Sequence, residues 1–91
     1  MTSFSQSLAD YEFTEHAKIR IIERKIYLHW IELTLSVPQR VESDLKDPNL
    51  RHALAMIAEY DKRVLRVIYN VTTNPNRVVS VYFDRKLRGK L

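Results

Sequence analysis

The sequence predicts an α+β domain in which two N-terminal helices pack on a four-stranded antiparallel meander sheet. Three observations carry this. Apolar residues recur at helical spacing through the first third of the chain. Pro38 then stops that pattern, and from Gln39 onward β-branched and aromatic residues alternate. Gly89 is the only glycine, so tight turns must rest on Asn, Asp and Pro.

Thr14 is placed to cap a helix running to about Lys25, with Glu15 in its first turn. At 100° per residue, Ala17 and Ile21 form one apolar face and Ile19, Ile22 and Ile26 a second. His16, Arg20, Glu23 and Arg24 fill the arc between them. A helix with two apolar faces is expected to touch two neighbours, which would set its basic stripe at the edge of a groove. A second helix is expected over residues 28–36. Ile26 and Ile31 have staple spacing, and Leu28, Ile31 and Leu35 make its buried edge.

"QRVESDL" reads as a short polar strand and "KDPN" as a turn; "RHALAMIAEY" alternates weakly. "RVLRVIYNVT" and "VVSVYFD" are the clearest strands, separated by the turn "TTNPN" and preceded by the hairpin "YDKR". Leu65, Val67, Tyr69 and Val71 point to one face of the sheet, and Val64, Arg66, Ile68 and Asn70 to the other. On the last strand Val79, Val81 and Phe83 oppose Val78, Ser80 and Tyr82. Both faces therefore carry large apolar side chains, and two short helices cover only one. The other is expected to meet the N-terminal segment through Phe4, Leu8 and Tyr11, a second copy of the chain, or a protein partner.

At 91 residues and 45% apolar content the chain has the size and composition of one folded domain. Residues 1–12 form an N-terminal segment and 85–91 a basic C-terminal tail. No stretch has the length of a membrane span, and no signal segment is seen. The absence of cysteine removes disulfides, thiol catalysis and cysteine-bound zinc. These features fit a soluble cytoplasmic protein. The net charge is +4, and Arg85, Lys86, Arg88 and Lys90 supply four of the 15 basic residues; the remaining 11 balance the 11 acids. The excess is thus confined to the last seven residues, either as a solvated tail or as a cationic end with work to do.

"FTEHAKIRIIERKI" followed by "WIELTLSVPQRV" resembles the opening H-A-x-x-R-x-x-x-R-x-I … V-x-x-x-L-x-x-P-x-x-V of a family of small proteins placed near the RelE/ParE toxins of bacterial toxin–antitoxin pairs. "RVLRVIYN … VVSVYFDRKLRGKL" resembles that family's final hairpin and basic end. The resemblance implies a RelE/ParE toxin-like fold, an antitoxin as partner and, on the RelE branch, metal-free cleavage of mRNA on the ribosome. The ParE branch instead inhibits DNA gyrase and is not a nuclease. One departure is Lys25, which stands where the family usually has Gly; a helix end there prefers Gly in the left-handed region.

Metal-free RNA cleavage needs a proton-transfer group, a cation for the phosphate and an acid for the leaving oxygen. Histidine suits the first and arginine the second. The candidates for catalysis are His16, Arg20, Arg66 and Arg85; those for holding RNA phosphate are Arg24, Tyr82, Lys86 and Arg88. Each has a structural alternative. Arg20 and Arg24 have carboxylates nearby in Glu23, Glu32 and Glu42, and Arg66 has Glu59 and Asp84. Tyr60, Tyr69 and Tyr82 suit sheet packing as well as base stacking, while His29 and His52 look solitary. The scattered histidines do not make a metal site, and no cofactor is implied. Two functions follow: a toxin-like ribonuclease or RNA binder, or a non-catalytic module that docks a protein on its open sheet face.

Overall fold

A computed structural model describes residues 10–91 and has an α+β architecture with two helices and a five-stranded mixed sheet. β1 (Tyr11–Phe13) leads into α1 (Glu15–Glu23) and α2 (Leu28–Ser36). β2 (Arg40–Ser43), β3 (Leu50–Ile57), β4 (Arg63–Asn70) and β5 (Asn76–Asp84) follow, and a 3₁₀ turn over Arg85–Leu87 comes after β5. The sheet order is β1-β5-β4-β3-β2. Strands β2 to β5 form the expected antiparallel meander, but the sheet has a fifth strand. β1 runs parallel to β5 at the far edge, pairing Tyr11 with Asn76 and Phe13 with Val78. Three residues are too few for alternation to show in a sequence.

Thr14 caps α1 as its type suggests, its hydroxyl accepting from the Ala17 amide at 3.1 Å. At the other end, the Lys25 amide donates to Ile22 and the Ile26 amide to Ile21, with Lys25 at φ 54°. This is a Schellman termination with a lysine at the left-handed position, closed by the buried side chains of Ile21 and Ile26. The corner forms despite the missing glycine because that apolar contact holds it. Lys25→Gly should therefore stabilise the fold by about 1 kcal/mol. A urea titration would read this as a higher midpoint with an unchanged slope.

The main core lies between the helices and one sheet face. It joins Ala17, Ile21, Ile26, Trp30 and Ile31 to Ile57, Leu65, Val67, Val78 and Val81. Four expectations need correcting. Ile19 and Ile22 are 51% and 76% exposed, so α1 has one buried face, not two. Leu28 is exposed, and Trp30 takes the buried place beside Ile31, because the buried face of α2 centres on Trp30, Ile31 and Thr34, a quarter-turn or more away from Leu28. Val78 faces the core with Val81 rather than opposing it, since a bulge where Ile68 gives way to Tyr69 shifts the register past Val79. Finally, Tyr11 packs edge-on to Tyr69, with ring centroids 5.9 Å apart, on the helix side and so does not cover the open face. Phe4 and Leu8 lie outside the described residues. The open face is not broadly apolar either: Leu54 and Val64 are fully buried, Ile68 and Tyr82 are half-buried, and a polar network occupies its middle.

Candidate anion-binding cleft

β1 pairs with Asn76, Arg77 and Val78, so among the described residues the outer edge of β5 beyond them has no strand neighbour. A cleft of about 710 Å³ opens at that end of the sheet, lined by Arg24, Tyr60, Arg63, Tyr82, Phe83, Asp84, Arg85 and Arg88. Four chain segments deliver its cations: the end of α1, the start of β4, and the turn and tail after β5.

The cations differ in how far they are neutralised. Arg24 donates from Nη1 to the Val81 carbonyl at 2.9 Å, satisfying a peptide group on the bare β5 edge while keeping its full charge. Arg63 lies 4.7 Å from the Tyr60 ring centroid and donates to its hydroxyl at 3.3 Å. Arg85 is exposed and its guanidinium has no partner among the described residues. Among the described residues, Arg88 is the one arginine of the lining that is ion-paired, with Asp61. The one carboxylate in the lining, Asp84, is already committed: Oδ2 receives Arg66 at 2.8 and 3.1 Å, and Oδ1 receives the Lys86 amide. Three guanidiniums without a carboxylate thus share one concavity.

Aromatic rings form the floor. Trp30 is buried, stacks on Tyr60 at 5.0 Å and meets Phe83 edge-on at 5.8 Å. Tyr60 and Phe83 are themselves 5.0 Å apart. Glu59 receives the Trp30 indole N–H at 2.9 Å and also bonds His29 at 3.0 Å. The bond from Trp30, then that from His29, holds the Glu59 carboxyl below its usual range.

Arg66 lies elsewhere, on the open face across from Leu54 and Tyr82. Besides Asp84 it contacts Glu42 at 3.3 Å and donates to His52 Nδ1 at 2.7 Å, and His52 Nε2 bonds Asp44 at 2.7 Å. This geometry assigns the His52 tautomer with Nδ1 accepting and Nε2–H donating. The bond from His52, followed by those from the Asp47 and Lys46 amides, pulls the Asp44 carboxyl down to about 2. Burial pushes the Glu42 carboxyl up, but hydrogen bonds from Arg40 and Arg66 outweigh it and leave the group lowered. Arg66 is the clasp of a structural network, and its acid is Asp84 rather than Glu59.

The structure thus divides the eight residues singled out from the sequence. Arg24, Tyr82, Arg85 and Arg88 meet in the cleft. His16 is exposed on α1 and Arg20 bonds Glu23 at 2.8 Å; neither lines the cleft. Lys86 lies beside the cleft but not in its lining. Arg63 and Phe83 escaped notice, although strand alternation places Arg63 on the same face as Leu65, which pairs with Phe83. His52, read as solitary, is tied to Arg66 across β3 and β4, a neighbour visible only once the register is known. The basic end is not a loose tail: the Gly89 amide donates to the Lys62 carbonyl at 3.1 Å beside the Arg88–Asp61 pair.

Among the described residues no helix is long and apolar enough to cross a membrane. The model of a family described as "Domain of unknown function (DUF4258)" matches residues 13–83, which takes in both helices, all of β2 to β4 and nearly all of β5. No curated protein and no solved structure matches the chain.

Proposed function

The chain belongs to the family described as "Domain of unknown function (DUF4258)", and from that premise we propose a small RNA-binding domain of the toxin–antitoxin type, taking single-stranded RNA into the arginine cleft. One observation carries the reading: Arg24, Arg63 and Arg85 hold uncompensated charge around a floor of Tyr60 and Phe83. Guanidiniums spaced along a groove suit successive phosphates, and partly exposed aromatic rings at its floor suit contact with unstacked bases. The resemblance to RelE/ParE toxins adds the expectation of an antitoxin whose acidic segment silences the cleft.

Binding is favoured over cleavage. General acid–base work requires a group within hydrogen-bond reach of the ribose 2′-OH, and no histidine lines the cleft. Of the catalytic candidates, Arg20 and Arg66 are ion-paired, which leaves Arg85 as a phosphate contact.

Fluorescence anisotropy with a labelled single-stranded oligouridine, titrated over a salt series, tests this. Wild type should bind with a log–log salt slope near −2, about −0.7 for each phosphate contact, and combined Arg24→Ala, Arg63→Ala and Arg85→Ala should abolish most of it. Lys46→Ala, on the distant β2–β3 turn, should bind as wild type does. Equal affinity in the triple variant would refute the cleft. Induced expression reads the toxin part separately: wild type should arrest growth and the triple variant should not.

A further inference from the structure

We propose that two copies of this chain associate through β2, antiparallel about a two-fold axis at Val41, joining their sheets into one. This stands independently of the RNA reading. β2 ends the sheet, so among the described residues one side of it has no strand neighbour. The Asp44 amide donates to the Leu50 carbonyl, continuing a register in which Arg40 pairs with Leu54 and Glu42 with His52. In that register the even-numbered residues turn their peptide groups toward β3, and Val41 and Ser43 present N–H and C=O outward. An exposed row of this kind is a template for another strand.

The charges select the occupant and the register. An axis on Arg40 would set Arg40 against its own copy, and one on Glu42 would oppose two carboxylates. An axis on Ser43 would place Glu42 against Asp44. Only the axis on Val41 avoids like charges, and it gives two Arg40–Glu42 pairs across the strands. Arg40 and Glu42 lie on the same face, 3.3 Å apart within one chain, so the sharing needs only small rotations. On the opposite face Val41 would meet its copy, and there the surface is apolar: Val41 is 49% exposed, and Leu33 and Val37, one turn apart along α2, are 42% and 65% exposed. Pairing β2 with β2 lays these side chains from both copies against one another. A surface that is complementary to itself fits a second copy better than an unrelated strand.

Cross-linking in a chain without cysteine is the direct test. At Val41 the two copies would bring Cα atoms to about 5.5 Å, within disulfide range. Val41→Cys should oxidise to a covalent dimer at least tenfold faster than Ile19→Cys, whose site is exposed on α1. By sedimentation, wild type should pass with concentration from 10.8 kDa to twice that mass, and Arg40→Glu should weaken association at least tenfold while leaving the circular dichroism unchanged. Equal oxidation rates at the two cysteine sites, a wild-type monomer at millimolar concentration, or a dimer indifferent to Arg40→Glu would each overturn the proposal. The monomer outcome would leave the edge to a strand from another protein.

Discussion

Arg66→Ala should lower the unfolding free energy by about 3 kcal/mol, and it should also free the Asp84 carboxylate that lines the cleft. The Arg66 side chain is 12% exposed and that of Asp84 16%. Removing the guanidinium leaves Asp84 and Glu42 facing each other's charge, with His52 losing the donor to Nδ1. Loss of one partner from a buried pair costs about 3–5 kcal/mol, and the lower figure suits a network with some solvent contact. Arg66→Lys should recover only part of the loss, since a single ammonium cannot reproduce the fork that reaches Asp84, Glu42 and His52 together. Arg66→Met with Asp84→Leu should be milder than Arg66→Ala alone, because it leaves only Glu42 without its guanidinium instead of two carboxylates. Urea denaturation followed by circular dichroism measures all three. If Arg66→Ala keeps wild-type stability, the network does not hold the open face together. Any loss of growth arrest in that variant would then need a different cause from unfolding.

How much of this was legible beforehand depends on the range of each interaction. The Thr14 cap, the end of α2 ahead of Pro38 and the meander of β2 to β5 are set by residues close in sequence, and reading them required only local chemistry. β1 was not legible: Tyr11–Phe13 is a strand only because β5 offers it an edge. The inversion of Val78 had the same origin, since a bulge depends on the partner strand and leaves no mark in alternation. Among site residues, Arg85 and Arg88 stood out as part of a charge run. Arg66 stood out as a lone charge on an apolar strand, and that signal indicated burial; it could not distinguish a ligand from an acid. The acid proved to be the end residue of the neighbouring strand, Asp84, two positions on from Tyr82, which faces Arg66 directly. Arg63 was missed because a charge at the start of a strand is commonplace; its meaning came from Tyr60, Phe83 and Arg85 arriving from elsewhere.

The second large effect concerns Trp30, which links stability to the cleft. Trp30→Ala should cost about 3–5 kcal/mol, a sizeable part of the stability of a domain this small. The indole is buried, it is the chain's only tryptophan, and its loss would open a void between α2 and the β4–β5 corner. The cost has two separable parts. The ring supports Tyr60 and Phe83, while the N–H satisfies Glu59. Trp30→Phe keeps most of the first and loses the second, so it should cost about 1–2 kcal/mol and preserve oligouridine affinity within about twofold. Trp30→Leu fills part of the volume yet offers no flat surface to Tyr60. Its stability should fall between the other two, but its RNA affinity should drop below that of Trp30→Phe as Tyr60 loses its seat. Circular dichroism must report the unfolding, since the native fluorophore is the residue removed. If Trp30→Leu binds oligouridine as well as Trp30→Phe does, the aromatic floor is packing alone and the affinity rests on the arginines.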